Sequence, residues 1–315
     1  MHSRPAPSCP ETDVLVVGEA LIDIIDTAAG AVEFPGGSGL NVAFGLGRLG
    51  ISTAFLTALG NDHRSARIQQ HVAGAGVSVV PGAVNLPRTS TATACLDSNG
   101  SAEYDFDIHW ELPPLSPPVL AKVLHTGSLA TFLEPGAKQV RILLESFSGL
   151  ITYDPNIRPT LLPDHAAALR TFEETAALAT VVKLSSEDAR WLYPRWSPAA
   201  VGNHLLGLGP ELAVMTDGVS GSYLWSNTAD VHVPARAVVV KDTVGAGDSY
   251  MSALIAGLIE DPQGDFDAAR LTRLGTAASG AAAVTVGRHG ANPPTRAELT
   301  ESLELMLTFR KNSND

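Results

Sequence analysis

The residues best suited to chemistry in this 315-residue chain lie in one string, Lys241-Asp242-Thr243-Val244-Gly245-Ala246-Gly247-Asp248-Ser249-Tyr250. An apolar, β-branched run, Ala237 to Val240, precedes it, and a helical pattern from Met251 to Leu258 follows. The spacing predicts strand, glycine-rich turn, helix. Such a turn aims backbone N–H groups at one spot on the positive end of a helix, which suits an anion. Glycines on both sides of Ala246 let a phosphate approach the backbone. Asp248 stands at the mouth of the turn. A carboxylate there suits the removal of a proton from a hydroxyl that attacks a phosphoryl group. The competing reading of Asp248 is an ordinary helix N-cap.

Two more strings carry polar groups at places where ligands collect. In Phe34-Pro35-Gly36-Gly37-Ser38-Gly39-Leu40-Asn41 a Gly-Gly turn opens a helix from Val42 to Leu49, and Asn41 can both donate to and accept from a hydroxyl. In Leu150 to Pro159 an apolar strand ends in Asp154, Asn156 and Arg158, and ligands of open α/β sheets sit at the carboxyl ends of strands. Arg158 can fork onto a phosphate. Asp23 interrupts an otherwise apolar segment and can accept from two adjacent hydroxyls, or be a strand-end carboxylate facing water.

The turn with Asp248, the Gly36 to Leu49 string and the Asp154 to Arg158 string together resemble the ribokinase family of sugar kinases, also called the B-type phosphofructokinase family. The resemblance runs from about Val14 to Glu298, and Gly18 to Asp23 with Asp154 to Pro159 look most like its fructokinase-type members. It implies an α/β fold: a ribokinase-like three-layer α/β/α sandwich with a mostly parallel central sheet and a small β-strand lid. It implies ATP-dependent phosphorylation of a sugar hydroxyl, with D-fructose the first acceptor and 2-keto-3-deoxygluconate, ribose or a nucleoside as alternatives. By the same resemblance Asp248 is the general base, and the N–H groups of Gly245, Ala246 and Gly247 stabilise the transferred phosphoryl. Asp23, Gly37, Ser38, Asn41, Glu134 and Arg158 face the sugar. Lys183, Thr216, Gly218, Gly221 and Ser279 border the nucleotide. Asp242, Val244, Arg288 and Gly290 surround potassium. The family often has Asn-x-x-Glu near residue 185 to organise Mg²⁺; this chain has Ser185-Ser186-Glu187-Asp188, so Glu187 and Asp188 inherit that expectation, while Ser185 with Asp188 also fits a capping box.

The remaining elements position these strings. Asp13 to Gly18 reads as a buried strand running on toward Asp26. Helices are predicted over Asn61 to Gly76, Gly136 to Ser148, Pro163 to Ala179 and Leu271 to Thr285. Thr89 to Leu96 and Ala102 to Trp110 read as a β-hairpin around Asp97-Ser98-Asn99-Gly100. Residues 1–12 form a loose tail without a signal-peptide core. Residues 13–310 make one kinase domain with lid segments near 24–36 and 86–110, and the lid can serve a homodimer.

Composition excludes other classes. Apolar residues make up 45%, enough for a sizeable core, and net charge is −12 with no basic stripe, which argues against nucleic acid and anionic membrane. Two cysteines, Cys9 and Cys95, make neither a disulfide framework nor a zinc site. No stretch reaches the length of a membrane span, so a cytosolic location is expected. Gly45-Leu46-Gly47-Arg48-Leu49-Gly50 matches G-x-G-x-x-G but ends a helix, whereas a dinucleotide site needs it to open one. A nicotinamide enzyme is therefore disfavoured. A sugar-binding protein without catalysis remains the other alternative.

Overall fold

The computed structural model describes residues 11–27, 30–96, 102–113 and 119–312. In chain order the elements are β1 (Glu11–Val17), β2 (Leu21–Thr27), β3 (Gly30–Gly36), α1 (Ser38–Arg48), β4 (Thr53–Leu56), β5 (Leu59–Gly60), α2 (His63–Ala73), β6 (Ser78–Val79), β7 (Val84–Leu86), β8 (Thr91–Leu96) and β9 (Ala102–Asp107). There follow β10 (Leu120–Gly127), α3 (Gly136–Ser146), β11 (Leu150–Asp154), α4 (His165–Ala176), β12 (Val181–Ser185), α5 (Ser186–Leu192), α6 (Pro198–Leu208), β13 (Leu212–Thr216), β14 (Ser222–Ser226), β15 (Asp230–Val233), α7 (Ala246–Glu260), α8 (Ala268–Val286) and α9 (Arg296–Asn312).

The large sheet runs β15-β14-β13-β12-β11-β10-β1-β4-β6, parallel from β6 to β13 and antiparallel at β14 and β15. Its strands are apolar on both faces because both faces are covered. Val14 and Val16 join α1, α2, α7 and α8 in one core cluster, while Leu15 and Val17 join α3 to α6 in the other. This is a three-layer α/β/α sandwich. A second sheet, β3-β2-β8-β9, stands apart from it as the small lid. No helix among the described residues is long and apolar enough to cross a membrane.

Three expectations change. The chain does not run on from β1 as one strand: it leaves the large sheet at Val17 and enters the lid sheet at Leu21. The run Ala237 to Val240 is not a strand; Val239 and Val240 are 82% and 55% exposed, and Lys241 N–H donates to the Val286 carbonyl. Pro234, directly after β15, lacks the N–H that a further ladder bond needs. Glu11 and Thr12, expected in the loose tail, belong to β1; residues 1–10, and the hairpin turn Asp97 to Gly100, lie outside the described residues. The first two glycines of the G-x-G-x-x-G string are packing positions, since a Cβ on Gly45 would meet Ser252 Oγ at 2.4 Å and one on Gly47 the Ala75 carbonyl oxygen at 2.4 Å, while Gly50 takes a positive φ (75°) just after α1.

Candidate active site

Two helix N-termini converge on one carboxylate. α7 begins after Gly245, which holds a left-handed conformation (φ 74°) and packs so closely on Ala291 that a Cβ would lie 2.6 Å from that residue's own. Both facts restrict the position to glycine. The first backbone bond of the α-helical kind is Ser249 N–H to the Gly245 carbonyl (2.9 Å). The N–H groups of Gly247 and Asp248 therefore lie in the turn that lacks intrahelical acceptors. Asp248 is not the N-cap, since Gly245 fills that role and Asp248 is the third residue of the helix. Its carboxylate, 8% exposed, is held from α1: Ser38 Oγ donates to Oδ1 (2.7 Å) and Asn41 Nδ2 donates to Oδ2 (2.8 Å).

The loop before α7 is fixed by Asp242. Its Oδ1 accepts from Val244 N–H (3.0 Å) and its Oδ2 from Gly290 N–H (2.9 Å), which ties the turn to the loop after α8. Burial works against its charge, but the N–H groups of Val244, Gly290 and Thr243, with His289 nearby, hold the carboxyl below its ordinary value. Arg288 anchors the other end of that loop by donating to Glu298 Oε1 (2.7 Å).

A buried ion pair lies beneath the turn. Lys183 Nζ donates to Asp154 Oδ2 at 2.7 Å, with side-chain exposures of 4% and 2%. A Cβ on Gly247 would lie 3.0 Å from that ammonium, so Lys183 stands beside the α7 N-terminus. Burial pushes Asp154 up to about 6, with Lys183 opposing. Burial also works against the Lys183 charge, but Asp154 outweighs it and the amine titrates above its ordinary value. The 2.7 Å contact joins a carboxylate on β11 to an ammonium on β12. Asp154 Oδ1 has no hydrogen-bond partner among the described residues.

The lid contributes from the other side. Asp23 on β2 pairs with Phe34 on β3, and its Oδ2 would lie 1.9 Å from a Cβ on Gly36. Gly37, φ 105°, is the N-cap of α1. Burial pushes Asp23 up to about 6, against the attraction of Arg158. Arg158 is exposed and donates to Asn156 Oδ1 (2.7 Å) and the Ile157 carbonyl (3.2 Å). Glu19, absent from the sequence-predicted site, is buried here: Ser38 N–H donates to its Oε1 at 3.0 Å.

Glu134 is exposed and accepts from Lys138 N–H (3.3 Å). Asp188 closes the capping box with Ser185 and also accepts from Ile157 N–H (2.8 Å), while Glu187 is exposed. Thr216 ends β13, Gly218 and Gly221 flank the turn before β14 with positive φ, and Ser279 is half-buried on α8. Among the described residues no three His, Cys, Asp or Glu side chains form a metal cage.

An anion turn alone would serve any phosphate binder. A carboxylate held at its mouth serves transfer, and the class is that of phosphotransferases acting on an alcohol. The chain matches the pfkB family of carbohydrate kinases over residues 11–298 and belongs to that family. It is similar to a fructokinase of Rhizobium leguminosarum bv. trifolii, 34% identical over 79% of this chain and 80% of the relative. It is also similar to probable fructokinase-4 of Arabidopsis thaliana, 30% identical over 92% and 96%. Among solved structures, the fructokinase of Xylella fastidiosa with bound ATP superposes with a TM-score of 0.78 at 23% identity, covering 93% of this chain and 98% of that one. The fold is ribokinase-like, and the chain is an ATP-dependent carbohydrate kinase that binds a sugar and ATP.

Proposed function

We propose that this kinase phosphorylates D-fructose. The observation that carries the reading is the likeness to fructokinases over most of the chain, at up to 34% identity. In this reading Asp248 takes the proton of the attacking hydroxyl, and Ser38 and Asn41 keep its two oxygens oriented. The N–H groups of Gly245, Ala246 and Gly247 offset charge on the transferred phosphoryl group, with the Lys183 ammonium beside them. Asp23 accepts from two sugar hydroxyls, Gly37, Ser38 and Asn41 line the pocket, and Arg158 and Glu134 close its rim. Thr216, Gly218 and Gly221 border the nucleotide, and Ser279 flanks the adenine.

Mg²⁺ needs few protein ligands when phosphate oxygens and water complete its shell. The lack of a carboxylate cage among the described residues therefore fits it, with Glu187 and Asp188 acting through water. Asp242 keeps its charge between two loops, met by backbone N–H groups. That suits a potassium ion held by carbonyls of the loops around Val244, Arg288 and Gly290. The lid sheet is the surface proposed for a homodimer.

ADP release tests the acceptor. With ATP, Mg²⁺ and K⁺, D-fructose is expected to give the highest kcat/KM in a panel with ribose, 2-keto-3-deoxygluconate and adenosine. Turnover confined to another member would overturn the assignment.

Asp23 gives a pH signature. Its carboxyl titrates at about 6 because burial disfavours the charge. As pH falls through that value the pocket loses a charged acceptor, so KM for the sugar rises on the acid side while Asp23→Asn shows a flat, high KM. The stability effect has the opposite sign. A carboxyl raised in the folded state contributes most at low pH, and that contribution is lost as pH rises through about 6. KM from pH 5 to 8 checks the first part, and a KM that does not vary sinks it.

A further inference from the structure

Glu19 takes no part in the transfer just described, yet it is buried against the start of α1. It follows β1, whose neighbours in the sheet are β10 and β4, the place where the strand order turns from one direction to the other. The residue is 4% exposed. Its Oε1 accepts from Ser38 N–H at 3.0 Å, and its Oε2 has no hydrogen-bond partner among the described residues. The backbone around it is tightly set. Gly18 and Gly39 pack main chain against main chain, with a Cβ on Gly18 falling 2.8 Å from Gly39 Cα, and a Cβ on Gly37 would lie 2.7 Å from the Glu19 carbonyl oxygen.

Ser38 has two jobs in this arrangement. Its N–H belongs to Glu19, and its hydroxyl donates to Asp248 Oδ1 at 2.7 Å. One residue thus links a buried carboxylate on the β1 side to the carboxylate on α7. We propose that Glu19 is a positioning residue for phosphoryl transfer: its carboxylate fixes the first residue of α1 and so aims the Ser38 hydroxyl at Asp248. The proposal rests on Asp248 being the base.

A purely structural reading is less economical. A buried carboxylate, even with Ser38 N–H and the Ser128 hydroxyl beside it, costs stability that an apolar or amide side chain would avoid. The charge is worth that cost if the strength of the Ser38 contact matters. A carboxylate is also a stronger acceptor than an amide, and it stands at the N-terminus of α1, where negative charge is favoured. Burial pushes the Glu19 carboxyl up to about 7, against its own backbone N–H, the nearby Ser128 hydroxyl, Ser38 N–H and Arg158. Arg158, from the loop after β11, is the cation facing it; Ser128 comes from the turn after β10; Asp248 on α7 adjoins through Ser38. The link therefore weakens by protonation close to neutral pH.

The test uses Glu19→Gln, which keeps volume and one acceptor but not the charge. Loss of a charge-assisted hydrogen bond is expected to lower kcat by about tenfold with little change in sugar KM. Wild-type kcat should show a step as pH falls through about 7, and the step should be missing from Glu19→Gln. In a Ser38→Ala background the Glu19 substitution should cost nothing further, because the two act in one chain. Wild-type kcat in Glu19→Gln at every pH, or losses that multiply in full, would overturn the proposal. A second readout does not depend on activity. The Ser38 amide ¹H–¹⁵N resonance should titrate near 7 in the wild-type protein and not in Glu19→Gln. If no sugar is turned over, the kinase roles fall while this titration still reads the Glu19–Ser38 link. A Ser38 resonance that does not move with pH overturns that link itself.

Discussion

Asp248→Asn is expected to give a folded protein whose kcat is lower by about 10²- to 10⁴-fold, the range for loss of a general base. The substitution is nearly isosteric. One side-chain oxygen remains to accept from Ser38 Oγ, and the amide of Asn41 can turn to accept where it now donates at 2.8 Å. The α7 N-terminus keeps its glycine cap and its packing on Ala291, so ATP affinity should change little. The loss should therefore appear in kcat, since proton removal is an event of the transition state. Steady-state kinetics with a coupled ADP assay, alongside circular dichroism of the variant, make the check. Turnover within a few-fold of wild type would remove Asp248 from its role and leave it a buried carboxylate tying α7 to α1.

The second large effect is on stability. Lys183→Met removes the hydrogen-bond donor to Asp154 Oδ2 and leaves a carboxylate whose other oxygen has no partner among the described residues. Breaking one side of a buried pair costs about 3–5 kcal/mol. Asp154→Asn with Lys183→Met should recover much of that, because it removes both charges together. Urea unfolding of the two variants and the wild type separates these outcomes by their midpoints. A Lys183→Met protein as stable as wild type would mean that Asp154 is neutral in the fold, against the ion pair described above. The single variant should also bind ATP more weakly, since the ammonium stands beside the turn at Gly247. That second loss should persist in the double variant, which distinguishes a role at the phosphates from a role in the core.

Much of the candidate site is legible in the chain because its parts are local. Gly245 to Asp248 form one turn, and the residues proposed to meet the phosphoryl group are neighbours in sequence. Gly36 to Asn41 is readable for the same reason. The capping box at Ser185 and Asp188 is three residues long and appears as expected. What could not be read depends on register between distant elements. Lys183 meets Asp154 because β12 lies beside β11 in the sheet and both side chains face α7, and nothing in either string announces the other. Glu19 looks like an ordinary residue at a strand end until the helix after it folds back over its carboxylate. The run Ala237 to Val240 misled for a related reason. β-branched residues favour a strand only where a neighbouring edge offers a ladder, and here the chain has turned at Pro234. The β1–β2 boundary was hidden because apolar residues continue through it while the partner sheet changes.

The contacts that hold Asp248 span 210 and 207 residues of sequence, from Ser38 and Asn41 on α1 to the first turn of α7. Synthesis from the N-terminus supplies α1 before α7, at about 5–20 residues per second. Under the proposed roles, a nascent chain that has made α1 but not α7 still lacks Asp248, so phosphoryl transfer waits until α7 has emerged and packed on α1.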